Sequence, residues 1–353
     1  MIKVVHVTEA FEGGVIEFLR CLTNSTPDIE HTIIYGRHQF FEKAHKSFPA
    51  DVKFIAWPDV NTKISPRSDI KALRHLIKIL KNLQQVDVIH LHSAKAGILG
   101  RIAARRTGHK KVIYAPHGAT FLRKDVSALA RTAFATIEKA VSIFPAKVVG
   151  VSKSEADAYR RLGIRASHVN NGKFFPESPE KKMPGDIFTI VTTGRAMRQK
   201  NPALYNTIAS AFTDNKKIQF IWIGDGDERQ FLSSPNIKIT GWVDRTEVEN
   251  NLREADLYIS TALWEGLSYA VLEAMSMRLP LLLTNCPGNN DLVENGINGF
   301  LYNYPAQAID FINQYFDNSK LLRAHGDASY SMLQSNFSVE QMAHGYREVY
   351  ASM

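Results

Sequence analysis

Leu257-Tyr258-Ile259-Ser260-Thr261 runs through a short turn into Glu265-Gly266-Leu267-Ser268-Tyr269-Ala270-Val271-Leu272-Glu273-Ala274-Met275. The first five residues are apolar and β-prone, and the second stretch has helical character, so the segment reads as strand, loop, helix. Glu265 then falls in the loop and Glu273 about two turns into the helix. The first turn of a helix has unpaired N–H donors and the positive end of the dipole, so the backbone between the two glutamates suits an anion. A carboxylate accepts hydrogen bonds from paired hydroxyls, each charge-assisted bond contributing about 1.5–3 kcal/mol. Two carboxylates flanking a phosphate cradle fit a ligand with hydroxyls at both ends and phosphate between. A sugar joined to a nucleoside through diphosphate is such a ligand.

The same alternation extends in both directions. Upstream, Lys3–Val7, His31–Tyr35, Asp87–His92, Lys111–Ala115 and Lys147–Ser152 read as strands with helical patterns between them. Downstream of a proline-rich interruption, Phe174-Phe175-Pro176-Glu177-Ser178-Pro179-Glu180-Lys181-Lys182-Met183-Pro184-Gly185, the strands are Phe188–Thr192, Gln219–Ile223, Ile237–Ile239, Leu257–Ser260 and Leu281–Thr284. Strand and helix in alternation imply parallel sheets covered on both faces, here two doubly wound α/β units. A chain of 353 residues, 44% hydrophobic, is long enough for two such cores. The expected organisation is a first domain over 1–173, a linker over 174–187, a second domain over 188–335, and a segment over 336–353. Within the last, the amphipathic helix Val339–Tyr350 packs back on the first domain.

Several loops at strand carboxyl ends, where open α/β sheets bind ligands, carry chemistry. Arg195 and Lys200, in Gly194-Arg195-Ala196-Met197-Arg198-Gln199-Lys200, suit a diphosphate. Gly224, in Ile223-Gly224-Asp225-Gly226, permits a tight turn or close backbone approach. In the first half, Gly13 and Gly14 open the first helix after the first strand, and His117-Gly118 follows the strand Lys111–Ala115.

The ordered set Gly-Arg-x4-Lys, Gly-Asp-Gly, Gly241-Trp242-Val243, Glu265-x7-Glu273 and Asn295-Gly296-Ile297-Asn298-Gly299 resembles the retaining GT-B glycosyltransferases of family 4, the group 1 glycosyl transferases. The resemblance implies two Rossmann-like domains facing a cleft, the first binding the acceptor and the second the nucleotide-sugar. It implies that Arg195 and Lys200 hold the pyrophosphate, Glu273 the ribose hydroxyls, and Glu265 hydroxyls of the donor sugar. The backbone of Gly266, Leu267 and Ser268 lines sugar and phosphates, the loop after Gly241 flanks the base, and Gly13 and Gly14 lie near the phosphates. His117 matches the family's active-site histidine and, with Glu265, forms the expected catalytic pair. The implied reaction moves a hexosyl or N-acetylhexosaminyl unit, with retention, from an NDP-sugar, preferably UDP, to a glycolipid or polysaccharide in bacterial surface-glycan synthesis. No cofactor and no metal are expected. The chain departs from the family at Pro287-Gly288-Asn289-Asn290-Asp291, at Arg278 in place of a frequent glycine, and at Lys173 after Asn171-Gly172 in place of an apolar-acidic pair.

Net charge is +8 and unevenly spread: residues 1–175 carry 28 Lys/Arg against 14 Asp/Glu, the remainder 15 against 21. Such a basic half meets an anion. Between Ser68 and Gln84, Ile70, Leu73, Leu76, Ile77, Leu80 and Leu83 keep helical spacing, while Lys71, Arg74, Lys78 and Lys81 form a stripe on another face. Arg101, Arg105, Arg106, Lys110 and Lys111 add charge nearby. A solvated basic face and contact with an anionic membrane both fit this pattern, the latter with a peripheral enzyme at the inner face of the cell membrane. The absence of interleaved aromatic residues argues against nucleic acid. His90 and His92 share one face of a strand, but with no third ligand evident they are not read as a metal pair. Cys21 and Cys286 show no pairing pattern, no stretch of about twenty apolar residues occurs, and the N-terminus reads as a buried strand, so a cytoplasmic protein is expected. An epimerase or phosphorylase on the same fold, and a non-enzymatic basic binding module, stay open as alternatives.

Overall fold

The computed structural model describes residues 1–36, 44–62, 64–144, 146–175 and 185–353; most of the expected linker, 176–184, lies outside the described residues. The chain forms two compact units. The first comprises Met1–Leu122, Val126–Gly172 and Val339–Met353, and the second Arg123–Asp125 and Lys173–Ser338.

In the first unit β1 (Ile2–Thr8), β2 (Ile29–Tyr35), β3 (Lys53–Ala56), β4 (Val88–His92), β5 (Val112–Ala115), β6 (Lys147–Gly150) and β7 (Ala166–His168) make one sheet in the order β3-β2-β1-β4-β5-β6-β7. All pairings are parallel, and the strand order reverses between β1 and β4, the place where such sheets accept ligands. The central strands are buried on both faces, which is why they read as nearly continuous apolar runs. On one face Val5, Val7, Leu91 and Val112 pack with Leu76, Leu80, Leu99 and Ala103 from the helices Pro66–Asn82 and Ala94–Arg106. The helix Val339–Ala351 belongs to this unit. It buries Met342, Tyr346 and Tyr350, and its Arg347 pairs with Asp28.

Two expectations about the basic half change. Arg101 does not join the charged surface. It is 2% exposed, its guanidinium lies 4.4 Å from the centre of the Tyr114 ring, and it faces the buried Glu138 carboxylate at 3.9 Å. Helical phase explains this: Arg101 lies on the inward side of Ala94–Arg106, among Gly97, Gly100 and Ala104, whereas Arg105 and Arg106 stay exposed. Ile70, counted on the apolar stripe, is 53% exposed.

In the second unit β8 (Phe188–Thr193), β9 (Ile218–Ile223), β10 (Ile237–Ile239), β11 (Leu257–Ser260), β12 (Leu281–Thr284) and β13 (Gly299–Tyr302) form a parallel sheet in the order β10-β9-β8-β11-β12-β13. Its order reverses between β8 and β11. The helix after β11 is shorter than expected, Tyr269–Ser276, so Glu273 stands just over one turn from its start rather than two. Arg278, in the family's glycine position, adopts the left-handed conformation at φ 55°. It is held there by an ion pair with Asp327 and by the Tyr330 ring, 4.3 Å from the guanidinium carbon.

The buried Arg101 and Glu138 generate a stability prediction. Burial raises the Glu138 carboxyl above the usual carboxylate range, and Arg101 and Tyr114 only partly offset this. Arg101→Ala therefore leaves an uncompensated buried acid and costs about 3–5 kcal/mol. The double variant Arg101→Met/Glu138→Gln costs less, and denaturant melts of the two should separate them.

Candidate active site

In the second unit three loops interlock at the carboxyl ends of β8, β9 and β11. Gly194 N–H donates to Ile223 O and Ala196 N–H to Asp225 O, each at 2.9 Å, and Leu263 N–H donates to Gln199 O at 2.8 Å. Gly224, at φ 135°, lies so close to the first loop that a Cβ there would sit 2.3 Å from Gly194 O, so this glycine is required by packing as well as conformation. Gly241 bridges to Gly224, and the Trp242 side chain beyond it is 69% exposed. Gly288, at φ 85°, approaches Gly266 O and the Glu265 backbone in the same way. This close approach gives the departure at Pro287-Gly288 a structural role, since Glu265 N–H also donates to Pro287 O at 3.2 Å.

These loops bring Lys200 and Glu265 together, Nζ to Oε1 at 2.7 Å, with Glu265 7% exposed overall. Lys200 is placed by its neighbour Asn201, which takes a left-handed conformation and caps the helix Pro202–Ser210 with its side chain. Burial pulls the Lys200 ammonium down, but Glu265 beside it, together with Tyr258 and Cys286, more than offsets this, and its pKa is raised. Arg195 lies exposed on the same loop. The N–H groups of Gly266 and Ser268 take part in no backbone hydrogen bond among the described residues, leaving donors at the start of the helix Tyr269–Ser276. Glu273 is met by Lys173, Nζ to Oε1 at 3.1 Å, although Lys173 is 3% exposed. Lys173 entered the sequence reading only as a departure from a pattern, and here it places a buried cation on one of the two expected ligand carboxylates.

In the first unit His117 and Gly118 both have positive φ, 56° and 101°. A left-handed histidine persists only where its surroundings hold it. Glu155, fully buried, does so: its Oε1 accepts from Gly118 N–H at 2.7 Å and Ala119 N–H at 3.0 Å, and its Oε2 accepts from Val151 N–H at 2.9 Å. Ser152-Lys153-Ser154-Glu155 has the spacing of a capping box, and Ser152 does cap the helix Lys153–Arg161. That pattern was the signal for Glu155, though its carboxylate serves the His117 loop. Glu9 has the same role at the loop after β4, accepting from Lys95 and Ala96 N–H at 3.1 and 2.9 Å. Gly13 and Gly14 are exposed at the start of Gly13–Ser25, with Gly13 at φ 55°.

Burial holds the His117 imidazole down to about 3, so it is neutral at physiological pH. Behind it lie His92, His6 and His31, all buried, with facing ring nitrogens 2.9–3.0 Å apart from one ring to the next. The expectation that His90 and His92 lack a third partner is thereby overturned. His6 completes a group of three whose ligand atoms lie within 4.8 Å of one another. The group is built by register, His6 pairing with His90 and Thr8 with His92 across β1 and β4. Both His6 nitrogens are already engaged by neighbouring imidazoles. An ion would have to take a lone pair from that arrangement, without a carboxylate in the group to balance its charge.

Glu155→Ala removes the acceptor of three N–H groups and is expected to cost about 3–5 kcal/mol. Glu155→Gln does not restore it, because an amide NH2 must face at least one of the N–H donors; urea denaturation of both variants checks this.

The profile of the glycosyl transferases group 1 family matches residues 187–318, and that of the glycosyl transferase 4-like domain matches residues 35–171. An Escherichia coli UDP-Gal:alpha-D-GlcNAc-diphosphoundecaprenol alpha-1,3-galactosyltransferase is 32% identical over 277 residues, 69% of each chain. An uncharacterised 41.2 kDa protein in the cps region of Klebsiella pneumoniae is 25% identical over 99% of each. Among solved structures, Anabaena HepE in complex with UDP and glucose superposes over the whole of both chains with a TM-score of 0.81 at 15% identity. The lipopolysaccharide outer core galactosyltransferase WaaB does so with 0.73, also at 15%. With two parallel-sheet units, a GT-B fold and this relationship, the chain belongs to the group 1 glycosyl transferases and is a glycosyltransferase.

Proposed function

We propose that the protein transfers a hexosyl or N-acetylhexosaminyl unit, with retention at the anomeric carbon, from a UDP-sugar to a lipid-linked or growing glycan acceptor. The observation that carries this reading is the pair of carboxylates in the second unit, each already matched to a lysine at 2.7 and 3.1 Å. Glu265 and Glu273 accept hydroxyls of the donor sugar and the ribose. Lys200, with Arg195 and the N–H groups of Gly266 and Ser268, stabilises the departing diphosphate. Donor binding then replaces part of the Lys200–Glu265 contact, turning the lysine towards phosphate and the carboxylate towards hydroxyl. Catalysis rests on positioning and on charge stabilisation of the leaving group, with the phosphate assisting front-face attack, so no metal or other cofactor is required. Trp242 offers an exposed indole to the base. His117, neutral, hydrogen-bonds the donor sugar. The E. coli relative is named for UDP-galactose and for an acceptor on diphosphoundecaprenol, which supports both substrate classes.

A lipid-linked acceptor favours an enzyme that works at a membrane surface, and two features of the first unit support this. Lys71, Arg74, Lys78 and Lys81 are all exposed, and Leu129, Ile137 and Ile143 are 81%, 44% and 77% exposed on and just beyond the helix Ala128–Val141. Among the described residues no helix is long and apolar enough to cross a membrane. Attachment would therefore be peripheral, at the inner face of the cell membrane.

Calorimetric titration of UDP, GDP and ADP in EDTA tests the donor reading. Binding of UDP alone is expected, weakened at least about tenfold in Glu273→Ala, the loss of roughly one charge-assisted hydrogen bond. Binding of none would favour a non-enzymatic basic module; in a turnover assay on the UDP-sugar, release of free UDP only when an acceptor is present would separate the transferase from an epimerase, which returns a UDP-sugar, and from a phosphorylase, which needs only phosphate. Vesicle cosedimentation should be stronger with anionic than neutral lipid and reduced by Lys71→Glu/Lys78→Glu; equal binding to both vesicles would remove the membrane reading.

A further inference from the structure

Four histidines and one threonine of the first unit form an unbroken hydrogen-bonded line. Thr26 Oγ1 is 2.8 Å from His31 Nε2, His31 Nδ1 is 3.0 Å from His6 Nε2, His6 Nδ1 is 3.0 Å from His92 Nε2, and His92 Nδ1 is 2.9 Å from His117 Nε2. The line crosses the sheet diagonally. His31 on β2 pairs with Val4, and His6 stands two residues further along β1. Thr8, two further again, pairs with His92 on β4, which pairs with Ala115 on β5, and His117 lies two residues beyond that. Steps of two residues keep every side chain on one face, so the line is a property of strand order and register together.

Its direction is fixed at one end. The Thr26 hydroxyl has one proton, and it donates this to Leu22 O at 2.7 Å. It therefore accepts from His31, which must carry its proton on Nε2. Burial lowers the pKa of all four imidazoles, to about 4 for His31 and about 3 for His117, so each ring is neutral and holds a single proton. A neutral ring that donates through Nε2 can only accept through Nδ1. The choice made at Thr26 thus passes through His31, His6 and His92 without reversal. The Phe18 ring, edge-on to His117 with centroids 4.8 Å apart, restrains the orientation of the last imidazole.

We propose that Thr26, His31, His6 and His92 are positioning residues that fix His117 as its Nε2–H tautomer and present its Nδ1 lone pair to a hydroxyl of the sugar substrate. The assignment rests, for the identity of that hydroxyl, on the transferase reading above; the tautomer itself does not. His117 is then a hydrogen-bond acceptor at its free edge, although it stands more than twenty residues from every other member of the line in sequence. His90 sits beside the line rather than in it, its Nδ1 bonded to Tyr350 at 2.9 Å.

The test is nitrogen NMR of the ligand-free full chain with 15N-labelled histidine. Protonated and bare ring nitrogens have well-separated shifts, and the expected pattern is Nε2–H with bare Nδ1 at His31, His6, His92 and His117. Thr26→Val, nearly isosteric, removes the hydroxyl that sets the direction, so His117 should become a mixture of tautomers, and Thr26→Ser should restore the single form. With donor and acceptor supplied, kcat of Thr26→Val should fall roughly two- to tenfold, the range one neutral hydrogen bond supplies, while the nucleotide Kd is unchanged. Protonation of His117 at Nδ1 in the wild type overturns the proposal, as do unchanged His117 signals in Thr26→Val. Stoichiometric uptake of Zn2+ that shifts His6, His90 and His92 also overturns it, because the ion would occupy lone pairs the line uses. If Thr26→Val does not fold, the wild-type pattern alone decides. If no sugar transfer is detected but the tautomer pattern is as expected, the transferase reading fails and the positioning line stands.

Discussion

Backbone N–H groups that are buried in the loops and helix starts beside the parallel strands need acceptors. This requirement organises the molecule. Glu155 takes three of these groups around His117, and Glu9 takes two at the start of Ala94–Arg106. In the second unit Asp256 accepts from Thr189 N–H at 2.8 Å at the opposite end of β8. An unpaired buried donor costs about 1–3 kcal/mol, so a few of these carboxylates decide whether the loops hold their shape. The left-handed His117 and Gly118 persist because Glu155 is there to bind the amides that follow.

Beside the buried Arg101–Glu138 pair of the first unit, two further ways of accommodating buried polar groups are visible, one in each unit. In the first, the sheet and the loop at its edge hold five imidazoles, and desolvation keeps them neutral, so each holds a single ring proton. In the second, charge is kept but paired: Lys200 with Glu265, Lys173 with Glu273. Lys200 and Glu265 sit on loops, whereas Glu273 stands on the helix Tyr269–Ser276 with its partly exposed carboxylate over the buried Lys173. The function proposed above puts a diphosphate beside the paired charges and a sugar hydroxyl beside the neutral imidazoles. A transfer reaction driven by leaving-group stabilisation needs the first arrangement, and discrimination among sugar hydroxyls gains from the second.

Much of this was legible because strand and helix write different periods into the chain. Ten of the strands between Lys3–Val7 and Leu281–Thr284 were readable as short apolar runs, and Glu265 and Glu273 as a loop carboxylate followed by a helix carboxylate, whereas the short β3, β7 and β13 were not read. The same reading misplaced Arg101, because a cation inside an Ala- and Gly-rich helix has the composition of a surface residue and the phase of a core one. It saw Lys173 as an omission rather than a partner, since its contact, Glu273, is 100 residues away. Glu155 was not singled out at all, its one local signal being the capping-box spacing from Ser152.

The order of residues by itself determined the two α/β units, the loops that carry the expected donor-binding residues, and the family to which the chain belongs. Each of these is local, set by periodicity and by spacing within a few tens of residues. Tertiary structure alone decided that β1 lies between β2 and β4, and with what register. That single choice carries His31, His6 and His92 into line behind His117, and makes His6 a neighbour of His90. Strand pairing across long sequence separations depends on which apolar faces bury together, a property of the whole sheet that no single segment encodes.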